Sequence, residues 1–241
     1  MITDDSAQRL WPRSFPELAL NLTIVVSTLG CCAQPNADLW PPREGERRVE
    51  VTVIYRDWHT MLLHEELAPP PSDAALAPPL AMGAAPKPFT LWEFAEKAWY
   101  LEGRQGVTGA VRALLWPTES ALLRRELSYD GMARTLRSGE EEWRFVVSER
   151  GSLRMKRYLE SLRGEPLEGF PDWYRGTRSY SIRFLCHHPV LYALREAGLP
   201  TTPWWGYTAW LTGLQLDRVS RFHADAGLLT ERVEPQAAPA R

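Results

Sequence analysis

The sequence predicts a mixed fold of strands and helices, on three observations. Val49, Val51, Val53 and Tyr55 alternate with Glu50, Thr52 and Ile54, which is a strand pattern. Val190, Leu194 and Ala197 share one helical face, and Gly198 with Pro200 gives a stop signal after them. Cys186 stands where an alternating run, Tyr180 to Leu185, meets that helix, with Pro189 suited to the first turn. A thiol at this junction feels the unpaired N–H groups and the positive end of the helix dipole, which favour thiolate. The competing reading is a small residue buried at an element end, where free cysteines are common.

The bounds come next. A chain of 241 residues suits one domain with tails, long enough to bury much of its surface. A net charge of −2 points to no polyanionic partner, so no nucleic acid is expected. Eleven tryptophans argue for packed or amphipathic surface rather than disorder. Of three cysteines, Cys31 and Cys32 are adjacent near the N-terminus, so no disulfide framework is suggested. No internal repeat and no glycine-rich phosphate loop is visible, and no cofactor is expected.

Residues 1–32 read as a leader. Leu18 to Leu29 is mostly apolar, Arg9 and Arg13 precede it, and Gly30-Cys31 closes it. The run is short for a membrane span. Cys31 after Gly30 is similar to a bacterial lipoprotein processing site, although Thr28 stands where leucine is usual and Asp4 and Asp5 are odd in a positive leader. An ordinary apolar leader or a short buried helix are the alternatives. Residues 33–47, rich in proline and charge, read as a tether, and residues 48–226 as one folded body.

Within the body, His59 to His64 continues as a second strand after a turn at residues 56–58. There His59, Met61 and Leu63 lie on one face and His64 on the other. Leu67 to Pro88 is an Ala/Pro loop. Phe89 to Leu101 fits a strand or a helix. Val107 to Leu115 is a helix stopped by Pro117, Ala121 to Leu127 a strand, and Tyr129 to Ser138 a weak helix or turn. Trp143 to Val147 is a strand, after which Ser148 can cap a helix with Met155, Tyr158, Leu159 and Leu162 on its apolar face. Phe170 to Arg178 is an aromatic loop, Thr201 to Gly206 another loop, and Tyr207 to Arg218 a helix. The polar tail, residues 227–241, is expected to fray.

Several of these stretches resemble one family. Tyr55-Arg-Asp-Trp58-His59-Thr60 resembles the Gly-Trp-His-Thr strand of a bacterial family of unknown function first noted near urease gene clusters. Trp92-Glu93-Phe94 with Trp99-Tyr100 is similar to its Glu-Phe-Gly-Trp-Gly-Asp…Phe-Tyr segment, and Ala113-Leu-Leu-Trp-Pro117 to Leu123 to its Leu-Phe-x-Pro…Ser-Val-Leu segment. Cys186, with Ala193-Leu-Arg-Glu-Ala-Gly-Leu-Pro200, resembles its Cys-Asn-Thr-Trp…Ala-Leu-Arg-Ala-Ala-Gly-Leu-Pro helix. The resemblance covers Val49 to Leu216, and the apolar leader resembles the family's own. The order of His before Cys resembles circularly permuted papain-like proteins, relatives of NlpC-type peptidases and of lecithin:retinol acyltransferase. That relation implies an α+β fold with the Cys helix packed on an antiparallel sheet. It also implies Cys186 as nucleophile, His59 as base, and oxyanion binding by the Cys186 N–H with a neighbouring side chain.

This sequence departs from the family pattern. His187-His188-Pro189 replaces Asn-Thr-Trp, Ala95-Glu96-Lys97-Ala98 replaces Gly-Trp-Gly-Asp, and Trp58 lacks the preceding glycine. The third, orienting residue is therefore open. Glu93 is the first candidate and Glu96 the second, each with solvated carboxylate as its plainer alternative. Three functions follow. One is a cell-envelope thiol hydrolase or acyltransferase acting on amide or ester bonds in peptidoglycan, lipid or peptide, with a membrane anchor through the N-terminus. The second is a catalytically silent papain-like module that binds an envelope ligand or protein. The third is a metal site from Cys186, His187, His188 and His59, although no ligand-type spacing exists among them. The first expects the His59 ring near the Cys186 sulfur, with the Met61 and Leu63 face meeting the Cys helix and His64 turned away.

Overall fold

The computed structural model describes residues 33–56, 58–67, 89–128, 141–228 and 232–233. The leader 1–32, most of the Ala/Pro loop and the stretch 129–138 lie outside the described residues. In chain order the elements are β1 (Arg48–Arg56), β2 (His59–Glu65), β3 (Phe89–Glu96), α1 (Lys97–Tyr100), α2 (Val107–Leu115), β4 (Ser120–Leu127), β5 (Glu141–Ser148), α3 (Glu149–Ser161), β6 (Arg163–Pro166), β7 (Trp173–Gly176), α4 (His187–Glu196), α5 (Ala209–Asp225) and β8 (Arg232–Val233). The fold is α+β. Its strands form one antiparallel sheet in the order β6-β7-β4-β3-β2-β1-β5-β8.

Hydrophobic alternation sets the register. Val51 stands opposite both His64 and Phe145, and Met61 opposite Glu93. On one face Val49, Val51, Val53, Leu62, Trp92 and Phe145 pack against Met155 and Leu159 of α3, Leu191 and Leu194 of α4, and Leu216 and Val219 of α5. On the other, Ile54, Met61, Leu63, Leu91 and Leu123 form a smaller cluster. β1 is thus buried on both faces, so its strand is more enclosed than a half-buried pattern suggests. Each large side chain buried this way contributes about 1.5–3 kcal/mol.

The helix ends follow from local chemistry. Ser148 caps α3: its Oγ accepts from the Gly151 N–H at 3.0 Å. Ser148→Ala should lower stability by about 1 kcal/mol, read as a lower denaturation midpoint at an unchanged slope. An unchanged midpoint would show that the cap contributes nothing. At the end of α4, Gly198 (φ 97°) bonds back to the Arg195 carbonyl and Leu199 to the Leu194 carbonyl. That pair of bonds closes the helix on a left-handed residue, a conformation glycine adopts without strain.

Four expectations need correction. Residues 36–47 are no free tether. Leu39 and Trp40 are buried, the Asn36 N–H donates to the Gly198 carbonyl (2.9 Å), and the Trp40 indole donates to the Val146 carbonyl (3.1 Å). Proline and charge set the stretch's composition, but two large apolar side chains decide where it lies. Tyr180 to Leu185 is not a strand. Its backbone makes a tight turn between Ser181 and Phe184, and its N–H groups go to Thr118 and Leu114 instead of a ladder partner. The aromatic loop after Phe170 contains β7, which is hydrogen-bonded to β4 and β6. The tail contributes β8, paired with β5. In addition, the ambiguous segment 89–101 resolves as a strand followed by a single helical turn, and the last helix runs on to Asp225. No helix among the described residues is long and apolar enough to cross a membrane.

Candidate active site

The site lies at the rim of the sheet, where β2 begins, β3 ends and α4 starts. Thr60, the second residue of β2, ties the elements together: its hydroxyl donates to the Cys186 carbonyl at 3.2 Å. His59 is the first residue of β2. Because Met61 pairs with Glu93, Glu93 is the diagonal neighbour of His59 on the same face, within reach of long side chains. His59 Nε2 lies 3.0 Å from Glu93 Oε1. The ring and the Cys186 thiol line one cavity, where each charge favours the other. The Tyr100 ring stacks on His59 at 5.3 Å, and its hydroxyl bonds Glu93.

The face assignment was inverted. Leu62 and His64 face the helices, whereas Met61 and Leu63 face the smaller cluster. His64 is buried against α3, with Nε2 2.7 Å from Ser152 Oγ and Nδ1 4.0 Å from Glu66. Burial, helped by Lys156 and opposed by Glu66 and Glu65, pushes His64 down to about 4. Ser152, His64 and Glu66 stand in the order of a catalytic triad, yet Ser152 and His64 are sealed in the core, so no substrate reaches them. His59 still meets Cys186 because both stand at the rim. There Trp58, with φ 70° and its carbonyl 3.9 Å from the sulfur, precedes the first strand residue. A tryptophan held in the left-handed region costs of the order of 1–3 kcal/mol, and such strain collects at functional sites.

The electrostatics favour an imidazolium–thiolate pair. Burial works against both charges. For His59 it is outweighed by the Cys186 thiolate and the Glu93 carboxylate, which hold the ring up at about 10. For Cys186 burial is outweighed by His59 and by a bond to His187, and the thiol is held well below its usual range. Burial would raise Glu93, but its bond and attraction to His59, with smaller help from Tyr100 and Arg56, keep it low. The start of α4 adds the helix dipole.

Two further groups, neither of them read from the sequence as part of this dyad, surround the sulfur. Tyr180 lines the same cavity as Cys186 and His59. Burial, then the thiolate charge, keeps that phenol protonated. His187 Nδ1 lies 3.2 Å from Thr60 Oγ1 and 3.9 Å from the sulfur. Since Thr60 donates to the Cys186 carbonyl, the ring donates to Thr60. Adjacency to Cys186 was the one sequence signal for His187. Tyr180 had none, because its place depends on the turn that replaces the expected strand.

The remaining candidates serve structure. Glu96 caps α1 through the Trp99 N–H and pairs with Arg112 at 3.1 Å, so it is not the orienting acid. His188 turns away, accepting from the Leu185 N–H at 3.1 Å beside Phe184 and Tyr207; burial, then the nearby His187, lowers it to about 4. Among the described residues no group of three or more His, Cys, Asp or Glu could hold a metal ion. The metal reading is dropped on that geometry.

Two cavities flank the rim. One, of about 410 Å³, holds Cys186 and His59 and is walled by Trp99, Tyr100, Ala113 and Tyr180. The other, of about 490 Å³, lies between β5 and the start of α5, beneath Tyr55, Trp143 and Trp210. Trp58 borders both and is 82% exposed. Both have the size of a small-ligand site. No family model, curated protein or solved structure matches the chain.

Proposed function

We propose that the protein is a cell-envelope cysteine hydrolase or acyltransferase of the permuted papain-like type. The reading is carried by one observation: His59, whose Nε2 lies 3.0 Å from Glu93 Oε1, shares one cavity with Cys186. In this reading the Cys186 thiolate attacks the carbonyl carbon of an amide or ester. The imidazolium gives its proton to the departing amine or alcohol, leaving a thioester on Cys186. Water or another acceptor then gives its proton to His59 and attacks the thioester, which restores thiolate and imidazolium. Glu93 orients the ring and offsets its charge. In this reading the Cys186 N–H and the Tyr180 hydroxyl, which lines the same cavity, hold the oxyanion. Placement in the envelope rests on the apolar run Leu18 to Leu29 with Gly30-Cys31.

Activated ester probes test this reading. The expected result is a hydroxylamine-labile acyl adduct that peptide mass spectrometry maps to Cys186. Glu93→Gln should form it about 10- to 100-fold more slowly, the range for groups that orient a reacting partner. Cys186 is only 5% exposed, which favours the second reading, a silent binding module. An alkylated or acylated chain carrying label on Cys31 and Cys32 and none on Cys186 would decide for that module.

A further inference from the structure

α2 is amphipathic in an unusual sense. Gly109 and Ala113 are buried, while Val107, Val111, Leu114 and Leu115 repeat at helical spacing on the exposed side. Val107 is 81% and Leu115 63% exposed. Trp116, 59% exposed, follows directly, and Ile182, whose N–H donates to the Leu114 carbonyl at 2.9 Å, extends the patch. Contiguous apolar surface of this kind marks an interaction site. Two observations say what covers it. The first is charge. Neither the helix nor the adjoining segment 175–183 carries an acid; Arg112 pairs with Glu96 and Arg175 with Glu119, so Arg178 and Arg183 supply the positive charge beside the patch in a chain of net charge −2. The second is position. Ala110, Ala113 and Leu114 of this helix wall the cavity that contains Cys186 and His59.

We propose that the α2 face, with Trp116 and Ile182, docks on an anionic lipid surface. An apolar helical stripe ending in tryptophan and flanked by arginine suits the headgroup boundary of a bilayer. Docking there sets the mouth of the Cys186 cavity against the membrane. Resting on the acyl-transfer reading, this makes the substrate an acyl lipid, whose chain enters between α2 and Tyr100 while its carbonyl meets the sulfur.

The test is co-sedimentation of the full chain with vesicles of phosphatidylethanolamine and phosphatidylglycerol, and with phosphatidylcholine alone. All variants keep residues 1–32, so any binding by that segment is common to them. The wild type should bind the anionic vesicles more tightly than the neutral ones. Val111→Asp with Leu115→Asp should weaken binding at least tenfold. Arg183→Glu should weaken it about fivefold or more on anionic vesicles only, the loss expected near such a surface for one cationic side chain. Val107→Asp serves as a second variant, because an acid in the first turn suits the helix dipole and preserves the fold. Equal binding by these aspartate variants overturns the proposal, as does a wild type that prefers neither vesicle or binds only another protein. Cys186→Ala should bind like the wild type. If it does while the wild type never acylates, docking stands and the enzyme reading alone fails.

Discussion

Replacing His59 with alanine is expected to slow alkylation of Cys186 at pH 7 by roughly 30-fold, the change from mostly thiolate to the ~3% expected for an ordinary thiol of pKa ~8.5. The sign follows from the site. His59 opposes the burial that would raise the Cys186 thiol. Without it burial is opposed by His187 alone, and the thiol moves back toward its usual value. In the wild type, reactivity should stay level through neutral pH and fall only on acidification through the depressed thiol value. Near pH 10, where His59 loses its proton, the thiolate remains but the ring can no longer protonate a leaving group. Acyl transfer should therefore decline there while alkylation does not. On any substrate turned over, His59→Ala should cost about 10²–10⁴ in rate, the usual worth of a positioned general base. Cys31 and Cys32 provide reference thiols in the same digest. A wild-type Cys186 that titrates at ~8.5 or higher, or a variant with the same profile, would remove the ion pair.

Trp40→Ala should destabilise the fold by about 3–5 kcal/mol, the range for large aromatic residues lost from a core. That is a large share of a typical stability of about 5–15 kcal/mol. Trp40 is buried beside His223, with ring centroids 4.8 Å apart, and its indole N–H supplies the Val146 carbonyl. Truncation would leave a cavity and release the stretch 36–47 from the end of α4. At about 2–4 °C per kcal/mol for a domain of this size, the melting temperature should fall by roughly 10 °C. Trp40→Phe keeps most of the packing and should cost about 1 kcal/mol for the lost bond. If Trp40→Ala melts within 1–2 °C of the wild type, residues 36–47 behave as the tether their composition suggests.

The readable and unreadable parts divide by the range of the interactions. Alternation marked β1, β2 and β5, because a sheet with apolar faces imposes a period of two. Helical spacing with Ser148 ahead and Gly198 behind marked α3 and α4, because caps and dipoles act within one turn. β6 and β7 were missed: Arg163–Pro166 is exposed and carries no apolar period. Tyr180 to Leu185 misled in the opposite direction, since a β-favouring pattern says nothing about whether a partner strand is free. Glu93 was open against Glu96 in the sequence. Register decided between them, Met61 opposite Glu93 placing that carboxylate beside His59 while Glu96 capped the next helix.

By itself the sequence determined that strands and helices share one body, that a cysteine begins a helix ended by Gly198, and that His59 opens a strand. Tertiary structure alone decided which sheet face the helices cover, that residues 36–47 belong to the body, and that Tyr180 and His187 crowd the sulfur. The reason is physical. Backbone sterics, caps and side-chain periodicity act over a few residues and are written locally. A rim contact between residues 59, 93 and 186 depends on strand order, register and the turn at Ser181, which no local pattern encodes.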